Sequence, residues 1–477
     1  MALALLVIPL VVALVALAIP SDRVRPYVLP VAGAAHLAVT VRALGATDVS
    51  ALGNLLELDP TSKVVLALLS MLFFLCSLYV PGYVRGDSHE SNRVFCASLL
   101  AFLAMMTLVV EAHTLGLMWV GVEATTLASA PLIYFHRDQR ALEATWKYLL
   151  ICSVGIALAL LGSFFLAYSA LHAGLHPTLV LDDLVRDAPQ LSKPWLHSAF
   201  VLALIGYGTK MGLAPMHTWL PDAHSEAPSP VSAMLSGALL NCAFLAILRF
   251  YRICAAAGDG AFAREMLVVA GLLSMAVSGV FMVRQKDYKR MLAYSSVEHM
   301  GILVLGIGIG GAAAFGAMLH VLNNGLTKGA LFMTVGNIHR AYGSKTTDEV
   351  GGALVRLPIS GALLLAGFFA ITGSPPFGPF LSEFTILNAA ISGGHYLASG
   401  LFLLLLLVVF LGMGATVLAV VQGTPSEQAL KRPFRDGLGS VGPSIVLMAI
   451  VLMLGVYIPR PVSSMVQDAA AALEPSP

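Results

Sequence analysis

An ammonium group inside a hydrocarbon-spanning stretch is the first chemistry this sequence offers. Lys210 lies in GYGTKMGLAPMHTWLPDAHSEAPSPV, Gly206 to Val231, between the apolar run Trp195 to Ile205 and another that starts near Val231. A charged amine at that depth costs at least ~2.5 kcal/mol on insertion scales. Pro215 follows, then Pro221, Pro228 and Pro230, and proline in a helix frees a backbone carbonyl that needs another partner. Broken helices with charge at membrane depth are tolerated where they line a polar cavity. Lys210 is therefore read as part of an ion path.

Other ionisable groups share that setting. Glu123 sits in WVGVEATTLASAPL with Thr125, Thr126 and Ser129 close by. A carboxylate there needs a partner or a raised pKa; one reading pairs it with Lys210 across the bundle, the other makes it a static ion pair holding helices together. Lys147 follows Glu143 at i,i+4 and is read either as a proton-pathway group or as half of an ordinary interfacial pair. Lys328, in VLNNGLTKGALF, has His320, Asn323 and Asn324 upstream of it, a polar string that suits a wet path. His299, in AYSSVEHMG, has the neutral-range pKa of a relay or is a histidine bonded to backbone. His217, Asp222, His224 and Glu226 fall in the segment after Pro215, read as a solvated loop or a channel mouth. Glu383 begins the second half of a span broken by Pro375, Pro376 and Pro379, where an exit group and a simple helix-start acid are both possible.

Such groups need a membrane scaffold, and the composition supplies one. Residues are 58% hydrophobic and 11% charged over 477 positions, against about 25% charged in soluble domains. The long apolar runs predict an all-α polytopic membrane protein, with about fourteen spans in a single membrane domain, 1–477. The run Met1 to Ile19 lacks a basic leader and is read as the first span. Spans 195–217 and 357–391, the seventh and twelfth, carry the breaks. Breaks at matching places predict two five-helix repeats, 95–254 and 264–421, that is helices 4–8 and 9–13, inverted because five is odd.

Odd-numbered loops carry sixteen basic residues, Arg85 and Lys289 among them, and the even loops with the C-terminus carry eight, including Arg249 and Arg252. The positive-inside rule then puts both termini on the extracytoplasmic side. Lys147, Lys210 and Lys328 are the basic residues left inside spans; lysine can lose its proton, whereas arginine cannot. The tail from Gln467 to Pro477 is expected to fray. The five cysteines make no CxxC pair, so no metal or iron–sulfur ligand set is expected. No basic cluster with interleaved aromatics points to nucleic acid. Gly306, Gly308, Gly310 and Gly311 resemble a dinucleotide loop but lie in an apolar segment without a preceding strand, which favours helix packing.

The segments around Glu123, KMGLAPMHTWLPDAHSEAPSPVSA, KRMLAYSSVEHMG and GSPPFGPFLSEF resemble the antiporter-like, proton-pumping subunits shared by respiratory complex I, Mrp-type sodium/proton antiporters and group 4 membrane-bound nickel–iron hydrogenases. The resemblance covers residues 90 to 420, and ALEATWKYLLICSVGIALALLG is most similar to the hydrogenase-4 (formate hydrogenlyase) branch. It implies fourteen helices with two inverted repeats, and a bacterial inner-membrane subunit that moves protons. The family's helix-five glutamate falls on Glu123 and its broken-helix lysine on Lys210. The downstream central region falls on His299, His320 and Lys328, and the helix-twelve acid on Glu383. Quinone-reductase relatives often carry a lysine on helix eight where SGALLNCAFLAILRF has Asn241; asparagine cannot hold a proton charge, so either water bridges that step or the path differs. Nickel–iron and iron–sulfur centres are expected only in partner subunits, other membrane subunits and a peripheral redox arm, with no cofactor in this chain. A quinone-reductase subunit, a cation/proton antiporter and a scaffold with vestigial pumping are the alternatives.

Overall fold

The computed structural model describes residues 1–46, 48–53, 55–84 and 91–474; Arg85 and the last three residues of the tail lie outside them. Lipid offers no hydrogen bonds to an open backbone, so apolar runs of this length close their amides within helices. In the first half these are α1 (Ala2–Ala18), α2 (Val28–Leu44), α3 (Pro60–Val84), α4 (Arg93–Glu111), α5 (Leu115–Ile133) and α6 (Gln139–His172). Then come α7 (Leu181–Asp187), α8 (Lys193–Met211), α9 (Trp219–Glu226), α10 (Ser229–Met234) and α11 (Leu240–Ala256). The second half has α12 (Gly260–Met282), α13 (Tyr288–Ile309), α14 (Ala312–Tyr342), α15 (Ala353–Arg356), α16 (Pro358–Ile371) and α17 (Gly378–Ser392). It ends with α18 (Tyr396–Val421), α19 (Glu427–Lys431), α20 (Leu438–Val456) and α21 (Arg460–Ala471). A two-residue hairpin, β1 (Ser50–Ala51) and β2 (Leu56–Glu57), pairs antiparallel between α2 and α3.

Among the described residues eleven helices are long and apolar enough to cross a membrane, and α1 and α16 are shorter apolar helices. The protein is thus a mostly helical polytopic membrane protein. α14 is buried along nearly its whole length and packs against α3, α13, α17 and α20. It carries polar side chains where the sheath of apolar helices hides them from lipid.

Both expected breaks are present and are capped alike. α8 stops at Gly212, whose φ of +86° suits glycine; Leu213 N–H then donates to Gly208 O at 2.8 Å. Before α17, Gly373 has φ +65° and Ser374 N–H donates to Phe369 O at 2.9 Å. These are the glycine caps that satisfy a helix's last carbonyls. In both segments a proline stands three residues after the glycine, Pro215 and Pro376. Side chains take up the groups the first break frees: Trp219 Nε1 donates to Thr209 O at 2.8 Å, and Ala214 N–H donates to Ser274 Oγ at 3.0 Å.

Several sequence assignments need correction. Arg249 and Arg252, counted in a loop, lie inside α11, and Arg249 is 2% exposed. Its guanidinium donates to Val110 O and Ser62 Oγ, each at 3.0 Å, and to Ala112 O, so a buried arginine is held by helix-end carbonyls. Lys289, also counted in a loop, is buried at the start of α13 and donates to Ala227 O at 2.7 Å. The segment after Pro215 is helical rather than looped, with His217 and His224 buried. Gly310 and Gly311 form the turn between α13 and α14, with φ of +75° and +55°, while Gly306 and Gly308 serve close packing. The tail is helical to Ala471, with Leu473 tucked into the core.

Candidate functional site

The first polar group is built on α5, where Glu123, Thr126 and Ser129 recur at a helical spacing that puts them on one face. α6 and α8 meet this face because glycines let their backbones touch. A Cβ on Gly206 would sit 2.5 Å from Ala159 N, and one on Gly155 2.6 Å from Thr209 Cβ. That approach brings the last turn of α8 against Tyr148. Lys210, fully buried, donates to Tyr148 OH at 2.6 Å and to Thr126 Oγ1 at 2.8 Å. Tyr148 OH also bonds Ser129 Oγ at 2.6 Å, and its ring packs on Trp219 with centroids 4.9 Å apart. Glu123 Oε1 accepts from Ser153 Oγ at 2.8 Å, and its Oε2 has no protein partner.

The expected direct pairing of Glu123 with Lys210 is not what the structure has. Among the described residues no ion pair within 4.0 Å joins them. The ammonium rests on hydroxyls, one of them a single helical turn from Glu123. Lys147 is placed differently again. It lies on the rim with its side chain 45% exposed, paired to Glu143 at 2.6 Å and Asp222 at 3.0 Å, while Arg290 holds the other Asp222 oxygen at 2.9 Å. One residue along α6 turns the helix face by roughly 100°, so Tyr148 points inward where Lys147 points out.

The second polar group is carried by α13, α14 and α17. His299 Nδ1 and His320 Nε2 are 3.0 Å apart with the rings stacked, and His320 Nδ1 bonds Ser382 Oγ at 2.8 Å. Glu383 Oε1 stands 3.9 Å from His299 Nδ1. Asn323 Nδ2 donates to Gly378 O at 2.8 Å, and Lys328 Nζ donates to Leu292 O at 2.9 Å. Sequence reasoning passed over Glu298, the neighbour of His299. It is buried, with Oε2 unbonded and 4.0 Å from His299 Nε2. Its signal was present, an acid inside an apolar run, but adjacency to the more familiar histidine hid it.

Asn241 lies at the start of α11, just after a π-helical turn at Leu235–Leu239, a distortion frequent at functional sites. Its Nδ2 donates to Gly237 O at 2.8 Å and its Oδ1 has no protein partner. Glu123, Asn241, Glu298, His299, Asn323, Asn324 and Glu383 each keep a buried polar atom without a protein hydrogen bond. Native interiors rarely leave such atoms unsatisfied. His299, His320 and Glu383 also place one donor atom each within 4.8 Å of one another, as do Glu57, His113 and Asp182 at the surface. The structure thus brings His299, His320 and Glu383 together, joins Lys210 to Glu123 only through neighbours, and leaves Lys147 outside.

A family model described as NADH:quinone oxidoreductase/Mrp antiporter, transmembrane, matches residues 112–412. The chain is 35% identical to a hydrogenase-4 component F homolog from Methylacidiphilum infernorum, over 88% of this chain and 89% of that one. It is 28% identical to NADH-quinone oxidoreductase subunit N from Desulforudis audaxviator, over 87% and 84% of the two chains. Its fold superposes on a chain of the Mrp complex from Dietzia sp. DQ12-45-1b with a TM-score of 0.87, at 20% identity, covering 99% of this chain and 96% of that one.

Proposed function

The chain belongs to the NADH:quinone oxidoreductase/Mrp antiporter transmembrane family, and from that premise we propose that it moves protons along its buried polar strip, driven by redox chemistry in partner subunits. It is an antiporter-like subunit of a membrane-bound respiratory complex, working beside other membrane subunits and a peripheral redox arm. The similarity to a hydrogenase-4 component favours a group 4 nickel–iron hydrogenase as the assembly, with the metal centres in the partners.

The observation that carries the reading is the seat of Lys210. Its two partners are hydroxyls, which can accept from an ammonium or donate to a neutral amine. The amine therefore keeps a bonded seat in either protonation state, which a carboxylate partner would not allow. Glu123 one turn away biases the charge, and its shift relative to Lys210 releases the proton. Water bonded to the free oxygen of Asn241 carries it on to Lys328, and His320, His299 and Glu383 pass it out. Surrounding this route we place fourteen spans with inverted repeats at 95–254 and 264–421. The Gly-x-x-Pro breaks at Gly212 and Gly373 support that placement. The basic-rich odd loops face the cytoplasm of a bacterial inner membrane and both termini the other side.

Redox-driven proton uptake in inverted membrane vesicles tests this. Lys210→Ala and Glu123→Gln are each expected to abolish most of the uptake while the complex still assembles. Unchanged uptake in both variants rejects the mechanism and leaves a scaffold role with vestigial pumping, which Asn241, carrying no proton charge, allows.

A further inference from the structure

Away from the strip, the α2–α3, α4–α5 and α6–α8 connections meet and are sewn together by main-chain bonds. Leu56 bridges Ala112, and Thr114 bridges Val180. His113, between those bridges, donates its N–H to Leu55 O at 2.9 Å and accepts from Leu181 N–H at 3.1 Å. Its imidazole is 6% exposed and faces two carboxylates, Glu57 Oε2 at 3.2 Å from Nδ1 and Asp182 Oδ2 at 3.4 Å from Nε2. We propose that Glu57, His113 and Asp182 form a binding site for a divalent transition-metal ion of the zinc class.

Spacing and charge both point that way. Zinc bonds of about 2.0–2.1 Å at tetrahedral angles put nitrogen and oxygen ligands about 3.3 Å apart, close to the separation of His113 Nδ1 from Glu57 Oε2. The three donor atoms already lie within 4.8 Å of one another. Asp182 Oδ2 rests at the opposite ring nitrogen, Nε2; its side chain is 71% exposed, so it can turn from there to the Nδ1 side to supply the third ligand, and water takes the fourth position. The surroundings are acid-rich. Burial raises the Glu57 carboxyl above its usual range, His113 opposes this, and Asp182, Asp59 and Asp48 add repulsion. Asp59 is matched by Arg249 and by Arg252, the latter at 3.0 Å, and Arg249 also attracts Glu57; among the described residues the ion-pair partner of Glu57 and Asp182 within 4.0 Å is the one imidazole of His113, which they share. A divalent cation balances that pair, as His113 alone does not. Because His113 immediately precedes Thr114, the N-cap of α5, a bound ion fixes the start of the helix that carries Glu123.

The probe is zinc ion alone, added to the purified full-length chain at neutral pH and read by competition with a chromophoric chelator. His113→Ala is expected to bind one equivalent fewer than the unaltered chain, and Asp182→Asn to bind that equivalent about tenfold or more weakly. X-ray absorption is expected to report one nitrogen among oxygen ligands for the equivalent that is lost. Should His113→Ala fail to fold, Glu57→Gln takes its place beside the exposed, structurally mild Asp182→Asn. Equal stoichiometry and affinity in the unaltered chain and the folded variants would overturn the site, leaving a hydrogen-bonded histidine clasp.

Discussion

At the scale of single residues, the proposed working group is an amine seated on oxygens that are neither permanently donors nor permanently acceptors. Tyr148→Phe tests that seat. It removes the hydroxyl that holds Lys210 and Ser129 and leaves a buried charge short of a partner, a loss of about 1.5–3 kcal/mol. Proton-uptake rate and thermal stability are both expected to fall. Lys147→Ala, on the exposed rim, is expected to change stability by no more than about 1 kcal/mol, as surface ion pairs do, and to leave uptake near normal. A second residue-scale expectation concerns Asp59. Burial raises its carboxyl, but Arg249, Arg252 and the bonds from Ser62 and Thr61 outweigh that and hold it below the usual value. A depressed carboxyl stabilises the fold above its unfolded pKa of about 3.9, and that stabilisation is lost as pH falls through the folded value. Melting in detergent should therefore decline on acidification below about pH 4, and less so in Asp59→Asn. An identical acid profile in that variant contradicts the assignment.

At the scale of elements, function depends on where helices stop and how near they come. α8 ends one residue after Lys210, so the lysine belongs to the helix's last turn, where the break begins, rather than to its middle. The contact of α6 with α8 is set by absent side chains. Gly206→Val would drive carbon into Ala159 N, 2.5 Å from the ideal Cβ position. Overpacking of this kind costs about 1–3 kcal/mol or more. It should separate Tyr148 from Lys210, lowering both melting temperature and uptake. Gly400→Ala is the control, since a Cβ there meets nothing within 4 Å and alanine favours the helix by about 1 kcal/mol. If both variants behave alike, close approach is not what positions the site.

For the whole molecule, the structure has two polar clusters, one around Lys210 and one around His299 and His320, and on the proposed route a proton passes them in series. Steps in series give non-additive losses, as groups acting as one unit do. Lys210→Ala combined with His320→Ala should therefore pump no worse than the weaker single variant. A double variant whose residual rate is the product of the two single effects would argue for independent half-channels.

Composition and apolar run length were enough to establish a helical membrane protein, because lipid makes the backbone close its own hydrogen bonds and apolar runs this long do so as helices rather than as barrel strands. The prolines after Lys210 and before Glu383 marked both breaks for the same reason: proline's missing donor is a local, covalent property. Lys210, Glu123, His320 and Lys328 were legible because a charge or imidazole in an apolar run is costly wherever the run ends up. What the sequence could not decide was facing and partnership. Whether Lys147 or Tyr148 turns inward depends on helix rotation, and whether Lys210 meets Glu123 or Thr126 depends on how far glycines let α6 and α8 approach. Arg249 read as a loop residue until packing brought the carbonyls of α4 around it. These are distances between segments far apart in the chain, and only tertiary packing sets them.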